Sequence, residues 1–222
     1  MSYTLYIGNK NYSTWSLRPW VLMKVLGIAF DEQRLVLYQP HSPARIRQVS
    51  PSGRVPCLHD GDTVVWDSLA ITEYLAERHA HVWPADASAR AWARSAAAEM
   101  HSGFARLRDE LGMNVRARGV KTPSPAADAD IGRIVALWRE GRARFGRGGD
   151  FLCGAFSAVD AFWCPVAFRF QTYAIALEGA AAAYCRALLA LPAMHEWATA
   201  AAAETERVPG FDSPDLRAQQ QQ

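Results

Sequence analysis

The spacing of apolar positions changes character once along this chain, near residue 80. Residues 4–7, entered directly from Met1-Ser2-Tyr3, alternate with period two and read as a strand. Residues 16–26 repeat their apolar positions at helical spacing, with Ser16 at the N-cap, Pro19 in the first turn and Gly27 at the end. Residues 30–37 read as a second strand, residues 55–59 and 63–66 as a hairpin around Asp60-Gly61-Asp62, and residues 68–79 as a closing helix. Strand, helix and strand in this order predict a right-handed parallel crossover.

His81-Val82-Trp83-Pro84-Ala85 breaks the pattern, and beyond it no alternation of period two survives. Helical segments are predicted over 87–111, 128–145, 158–175, 180–189 and 194–202, and the polar end, residues 213–222, is expected to fray. The expected organisation is an α/β unit over 1–80, a linker over 81–86 and an all-α unit over 87–222.

Chemistry concentrates in the first unit. In Arg54-Val55-Pro56-Cys57-Leu58, the Val-Pro bond follows a glycine-containing turn and is a candidate for the cis form, since X-Pro bonds lose most of the trans preference. Such a bend turns the Val55 N–H and C=O outward, where an extended peptide can pair with them as an added strand. An ordinary trans proline at a strand start is the other reading. Asp67-Ser68 lies where the strand Thr63-Val64-Val65-Trp66 gives way to helical spacing, so both residues are natural caps. A helix start also attracts a carboxylate, and Asp67 can hold an ammonium, so the pair suits the amino-acid head of a γ-glutamyl group.

Composition narrows the field. The chain has 222 residues, half of them hydrophobic, and a net charge of +2, enough for two cores and too little for a nucleic-acid stripe. Of 24 basic residues only Lys10, Lys24 and Lys121 are lysines, and the arginines are dispersed. Cys57, Cys153, Cys164 and Cys185 are widely spaced in apolar surroundings, which suits buried thiols in a reducing compartment. Neither a signal peptide nor an apolar run of membrane-spanning length is read, so a cytoplasmic location is expected, and the histidines show no metal-ligand spacing. In Phe156-Ser157-Ala158-Val159-Asp160, Ser157 and Asp160 form a Ser-x-x-Asp capping box with Phe156 as staple, a folding device rather than a catalytic one.

The order strand, Ser-containing turn, helix, Ser-Pro-x-x-Arg-Val-Pro, Asp-Gly hairpin and Asp-Ser-x-x-Ile-x-x-Tyr-Leu resembles the thioredoxin-like half of the cytosolic glutathione transferases, and the capping box resembles their helical half. The resemblance implies a thioredoxin-like α/β domain followed by an all-α domain, glutathione as co-substrate without a metal, a small electrophile as second substrate, and a homodimer. Asn11-Tyr12-Ser13-Thr14-Trp15-Ser16-Leu17-Arg18 is similar to the Ser-Ser-Cys-x-x-Arg motif of the zeta class, with Thr14 in place of the second serine and Trp15 in place of the cysteine. That match makes Ser13 the expected activator of the glutathione thiol, with Ser16, Tyr12 and Tyr6 as rivals.

Glutathione itself is expected on Val55, Asp67 and Ser68, with Arg54 and His41 as further contacts. The electrophile's pocket is expected between the halves, near Tyr12, Trp15, Met100, Phe104, Met113 and Asn114; Met100, Phe104, Leu107 and Leu111 share one face of the predicted long helix. Arg18 reads as a helix residue in internal salt bridges. Three functions follow: thiolate attack on an electrophile, glutathione-dependent cis-trans isomerisation of zeta type, and a non-catalytic binding module of the same fold.

Overall fold

The computed structural model describes residues 3–208 and Asp212. Its sheet is built on β1 (Tyr3–Ile7), whose alternating Tyr3, Leu5 and Ile7 are buried while Thr4 and Tyr6 are half-exposed. β2 (Phe30–Arg34) runs parallel to β1, with Tyr3 opposite Phe30; β3 (Cys57–Asp60) runs antiparallel on the other side, with Leu5 opposite Leu58. β4 (Thr63–Trp66) pairs antiparallel with β3, giving the order β2-β1-β3-β4. The β1–β2 connection is α1 (Thr14–Val25), α2 (Ser42–Val49) lies between β2 and β3, and α3 (Ser68–Ala76) follows β4.

Helices alone follow in the rest of the described chain: α4 (Ala87–Ser102), α5 (Ala105–Glu110), α6 (Pro125–Phe145), α7 (Ala158–Thr172), α8 (Gly179–Leu189) and α9 (Pro192–Ala203). α7 is the hub. Fourteen of its fifteen residues are buried, and it packs against α1, α4 and α8. Trp138 on α6 meets Trp163 and Tyr184 edge-on at centroid distances of 6.0 and 5.0 Å, an arrangement that favours aromatic quadrupoles as well as burying area. The start of α7 is fixed by Asp160, whose carboxylate accepts from the Ser157 N–H (2.9 Å), the Leu152 N–H (3.1 Å) and the Tyr184 hydroxyl (2.9 Å). Burial nevertheless pushes its pKa up to about 6, against the pull of those donors.

Several sequence expectations are corrected here. α1 starts at Thr14, because Ser13 is extended (φ −84°, ψ 92°) and its carbonyl closes the first turn with the Leu17 N–H. Pro19 therefore sits inside the helix, where it removes the N–H that would bond the Trp15 carbonyl. β2 stops at Arg34, three residues short, and α3 at Ala76, as α7 does at Thr172. α2 went unread because only Ser42 and Ile46 of its eight residues are buried, leaving no apolar stripe to detect. The single helix expected over 87–111 is broken at Gly103-Phe104: Phe104 adopts the left-handed conformation (φ 60°, ψ 46°), and a Cβ on Gly103 would lie 2.8 Å from the Glu99 carbonyl. Met100, Phe104, Leu107 and Leu111 are all buried but do not share one helical face. The end segment 213–222 lies outside the described residues.

Candidate active site

Three features of the first unit converge at the edge of the sheet where β1 and β4 end and antiparallel β3 begins. The first is Val55. The Val55–Pro56 bond is cis, and the ladders of β3 with β1 and β4 begin only at Cys57. Among the described residues, no hydrogen bond of the chain uses the Val55 N–H or C=O, so both are available to an extended ligand. The second is the start of α3. Asp67 has φ 74° and ψ 136°, unusual for a residue with a Cβ, and its carboxylate caps the helix through the N–H groups of Leu69 (2.8 Å) and Ala70 (3.4 Å).

Behind Asp67 lies a chain of polar contacts that the sequence did not reveal. Arg18, fully buried, donates through Nη1 to Ser68 Oγ (3.3 Å) and to His101 Nδ1 (3.4 Å). A guanidinium only donates, so Nδ1 is the acceptor and the neutral ring carries its proton on Nε2, which faces Asp67 Oδ2 at 3.4 Å. Burial, against the opposing pull of Asp67 and helped by Arg18 and Arg108, holds the His101 pKa below its ordinary value, which keeps the ring neutral at pH 7. Arg18 is therefore internal, as expected, but among the described residues it is held by Ser68 and His101 and not by the salt bridges expected of it. It is sandwiched against Trp15 (4.2 Å) and Phe162 (4.8 Å), and its Nε and Nη2 have no hydrogen-bond partner among the described residues.

The third feature is the start of α1. Ser13 occupies the N-cap position but makes no cap hydrogen bond; its hydroxyl donates to Ser16 Oγ at 2.8 Å, which also accepts the Gly8 N–H at 3.0 Å. Ser16 is thus not the cap but the partner of Ser13. Because a hydroxyl proton rotates freely, the pair can reverse, with Ser16 donating to Ser13 and Ser13 turning its own proton outward. The unpaired N–H groups of the first turn of α1 add partial positive charge at the same place.

Tyr12, the rival hydroxyl, is otherwise engaged: it donates to Asp212 Oδ2 (2.8 Å) and accepts from Arg116 Nη2 (2.8 Å), and burial raises its pKa. Tyr6 packs its ring on His59 at 4.8 Å.

A cavity of about 560 Å³ joins these parts. It is lined by Tyr12, Ser13, Trp15, Arg54, Val55 and Met113 among others. A second, of about 440 Å³, shares Trp15, Arg54 and Val55 with it and continues to Asp67 and Ser68. The remaining candidates are not brought to either wall. His41 is exposed ahead of α2, Met100 and Phe104 are buried in the core, and Asn114 is buried between Asn11 and Asp212 at 2.9 Å from each. Among the described residues, no group of three or more His, Cys, Asp or Glu side chains is placed to hold a metal ion.

Residues 12–78, from the end of the β1–α1 turn to just past α3, match the family model of the glutathione S-transferase N-terminal domain. Solved structures extend the likeness across the described helices. A glutathione transferase homologue from Burkholderia gl BGR1, crystallised with bound glutathione, is 22% identical, with 90% of this chain and 97% of that one covered and a TM-score of 0.68. The fold is the glutathione transferase fold. A glutathione S-transferase from Xylella fastidiosa (22% identity, 90% and 98% covered, TM-score 0.65) shares it. So does the theta class glutathione S-transferase from Xanthomonas axonopodis pv. citri with glutathione bound (22% identity, 89% and 97% covered, TM-score 0.64).

Sequence reasoning missed His101, Arg108 and Arg169 as parts of this region of the fold, and it read Ser16 as a cap or rival of Ser13 rather than as its hydrogen-bond partner. Only Ser16 had a local signal, its three-residue spacing from Ser13 across one turn.

Proposed function

We propose that this chain is a glutathione transferase that holds the glutathione sulfur as thiolate for attack on a small electrophile. The observation that carries the reading is the unpaired Val55 backbone in a groove that has Asp67 and Ser68 at one end and Ser13 at the other. The tripeptide lies along that groove, its cysteinyl amide antiparallel to Val55 and its γ-glutamyl head over Asp67 and Ser68. Asp67 takes the ammonium while the start of α3 takes the carboxylate. Arg54 flanks the ligand.

At the Ser13 end the thiol gives its proton to solvent. The Ser13 hydroxyl, backed by Ser16, donates to the remaining thiolate. The free thiol pKa of about 8.5 leaves little thiolate at neutral pH, so this hydrogen bond and the α1 start supply the nucleophile. In the chemical step the sulfur bonds to the electrophilic carbon and the leaving group departs with its electron pair. Neither Thr14 nor Trp15 offers a second thiol or serine, which favours this simple displacement over isomerisation of zeta type. A homodimer belongs to the same reading.

Calorimetric titration with reduced glutathione, followed by turnover of chlorodinitrobenzene, tests it. Saturable binding and conjugation are expected; binding without conjugation would leave a non-catalytic module.

A further inference from the structure

Three guanidinium groups meet under the Ser13 cavity: Arg18 of α1, Arg108 of α5 and Arg169 of α7. Arg108 is occupied with the main chain of the α4–α5 break, donating through Nε to the Gly103 carbonyl (2.9 Å) and through Nη2 to that of Met100. Arg169, only 4% exposed, donates through Nε to the Leu111 carbonyl (2.7 Å), and its Nη1 has no hydrogen-bond partner among the described residues. Arg108 and Arg169 both line the cavity wall, and no carboxylate of the described chain pairs with Arg169. Asp67 acts on Arg18 and Asp130 on Arg108, which leaves the centre with more positive than negative charge.

A buried cation without a counter-ion is expensive to keep charged. The cost shows at Arg169, where burial and then Arg108 push the pKa down to about 9, which still leaves it protonated at pH 7. An anion arriving in the cavity would restore the balance. Its chemistry follows from the wall: a guanidinium fork matches a planar carboxylate, and Trp15, Leu37, Ile46 and Met113 offer apolar and aromatic surface to the rest of the molecule.

We propose that the second substrate of this protein is an electrophile carrying a carboxylate, which docks on Arg169 with Arg108 beside it. Its apolar body then lies against Trp15 and Met113, and its reactive carbon faces the sulfur at Ser13. The inference rests on the glutathione reading for the identity of the nucleophile. The carboxylate seat itself does not, because it is formed by the protein alone.

The test compares an unreactive pair, dinitrobenzoate and its neutral isostere dinitrobenzamide, by quenching of tryptophan fluorescence without glutathione. Wild type is expected to hold the carboxylate at least about tenfold more tightly, the factor that one charge-assisted hydrogen bond supplies. Arg169→Met is expected to bring the two probes within about twofold of each other, and Arg169→Lys to restore part of the preference. Equal affinities in wild type would overturn the proposal without recourse to any variant.

Glutathione affinity and the ultraviolet titration of bound thiolate are measured on the same proteins. A loss of glutathione affinity in Arg169→Met would assign the arginine to the tripeptide, and a raised thiolate pKa would assign it to the sulfur; either overturns the proposal. Wild type that prefers the benzoate yet ignores glutathione would instead remove the glutathione reading and leave the carboxylate seat standing.

Discussion

Removing the Ser13 hydroxyl tests the thiolate mechanism at its source. In the unliganded site that hydroxyl is 2.8 Å from Ser16 Oγ, itself polarised by the Gly8 N–H, so Ser13→Ala deletes a donor whose geometry is already set. A hydrogen bond to a charged acceptor contributes about 1.5–3 kcal/mol. At roughly 1.4 kcal/mol per unit, the bound thiol pKa should rise by about 1–2 units, and thiolate at a pH below both values should fall about 10- to 100-fold.

Turnover should fall less. A more basic thiolate is intrinsically more nucleophilic, with a Brønsted coefficient of about 0.4–0.5, so a net loss of roughly 3- to 16-fold is expected. At pH above the shifted value the loss should vanish and turn into a gain, because only the greater nucleophilicity of the more basic thiolate remains. The assay is the ultraviolet thiolate absorbance of the glutathione complex against pH, in parallel with the pH profile of kcat/KM. Ser16→Ala should shift the profile in the same direction by less, and Tyr12→Phe not at all, since the Tyr12 hydroxyl is spent on Asp212 and Arg116. An unchanged profile in Ser13→Ala, or the expected shift in Tyr12→Phe instead, would refute the assignment.

Two further outcomes follow from buried charges. Arg18→Met replaces a guanidinium that has two unpartnered nitrogens and two like charges nearby, so stability should stay within about 1 kcal/mol of wild type or rise, while glutathione binding weakens through loss of the Ser68 and His101 contacts. Denaturant unfolding checks it, and a loss above roughly 3 kcal/mol would show that Arg18 is a net stabiliser. Asp160 has its folded pKa raised to about 6, from an unfolded value near 3.9, so between those values the folded state binds more protons and stability falls as pH rises. Relative to Asp160→Asn, wild type should lose about 2 kcal/mol from pH 4 to pH 6 and under about 1 kcal/mol more above pH 6, as followed by urea midpoints at each pH; parallel curves would contradict the burial argument.

The legible parts of this molecule were those in which one short stretch carries both a structural and a chemical signal. The bend at Val55-Pro56 and the start of α3 at Asp67-Ser68 were read from local spacing, and both border the groove. The Asp160 bonds at the start of α7 were legible for the same reason. What stayed hidden depends on distant partners. Arg18 and His101 lie 83 positions apart, so nothing local could tell a buried charge from a solvated one. The left-handed Phe104 ends a helix that periodicity continues, because tertiary contacts override propensity there. Once α4 and α5 separate, Arg108 turns back onto the break and reaches the cavity wall.

A crystal of this protein grown with reduced glutathione tests the central claim most directly. The account predicts the cysteinyl amide paired with the Val55 N–H and C=O, the γ-glutamyl head on Asp67 and Ser68, and the sulfur within hydrogen-bond distance of Ser13 Oγ. A tripeptide lying elsewhere, or a sulfur seated on Tyr12 or Thr14 with Ser13 still turned to Ser16, would contradict it.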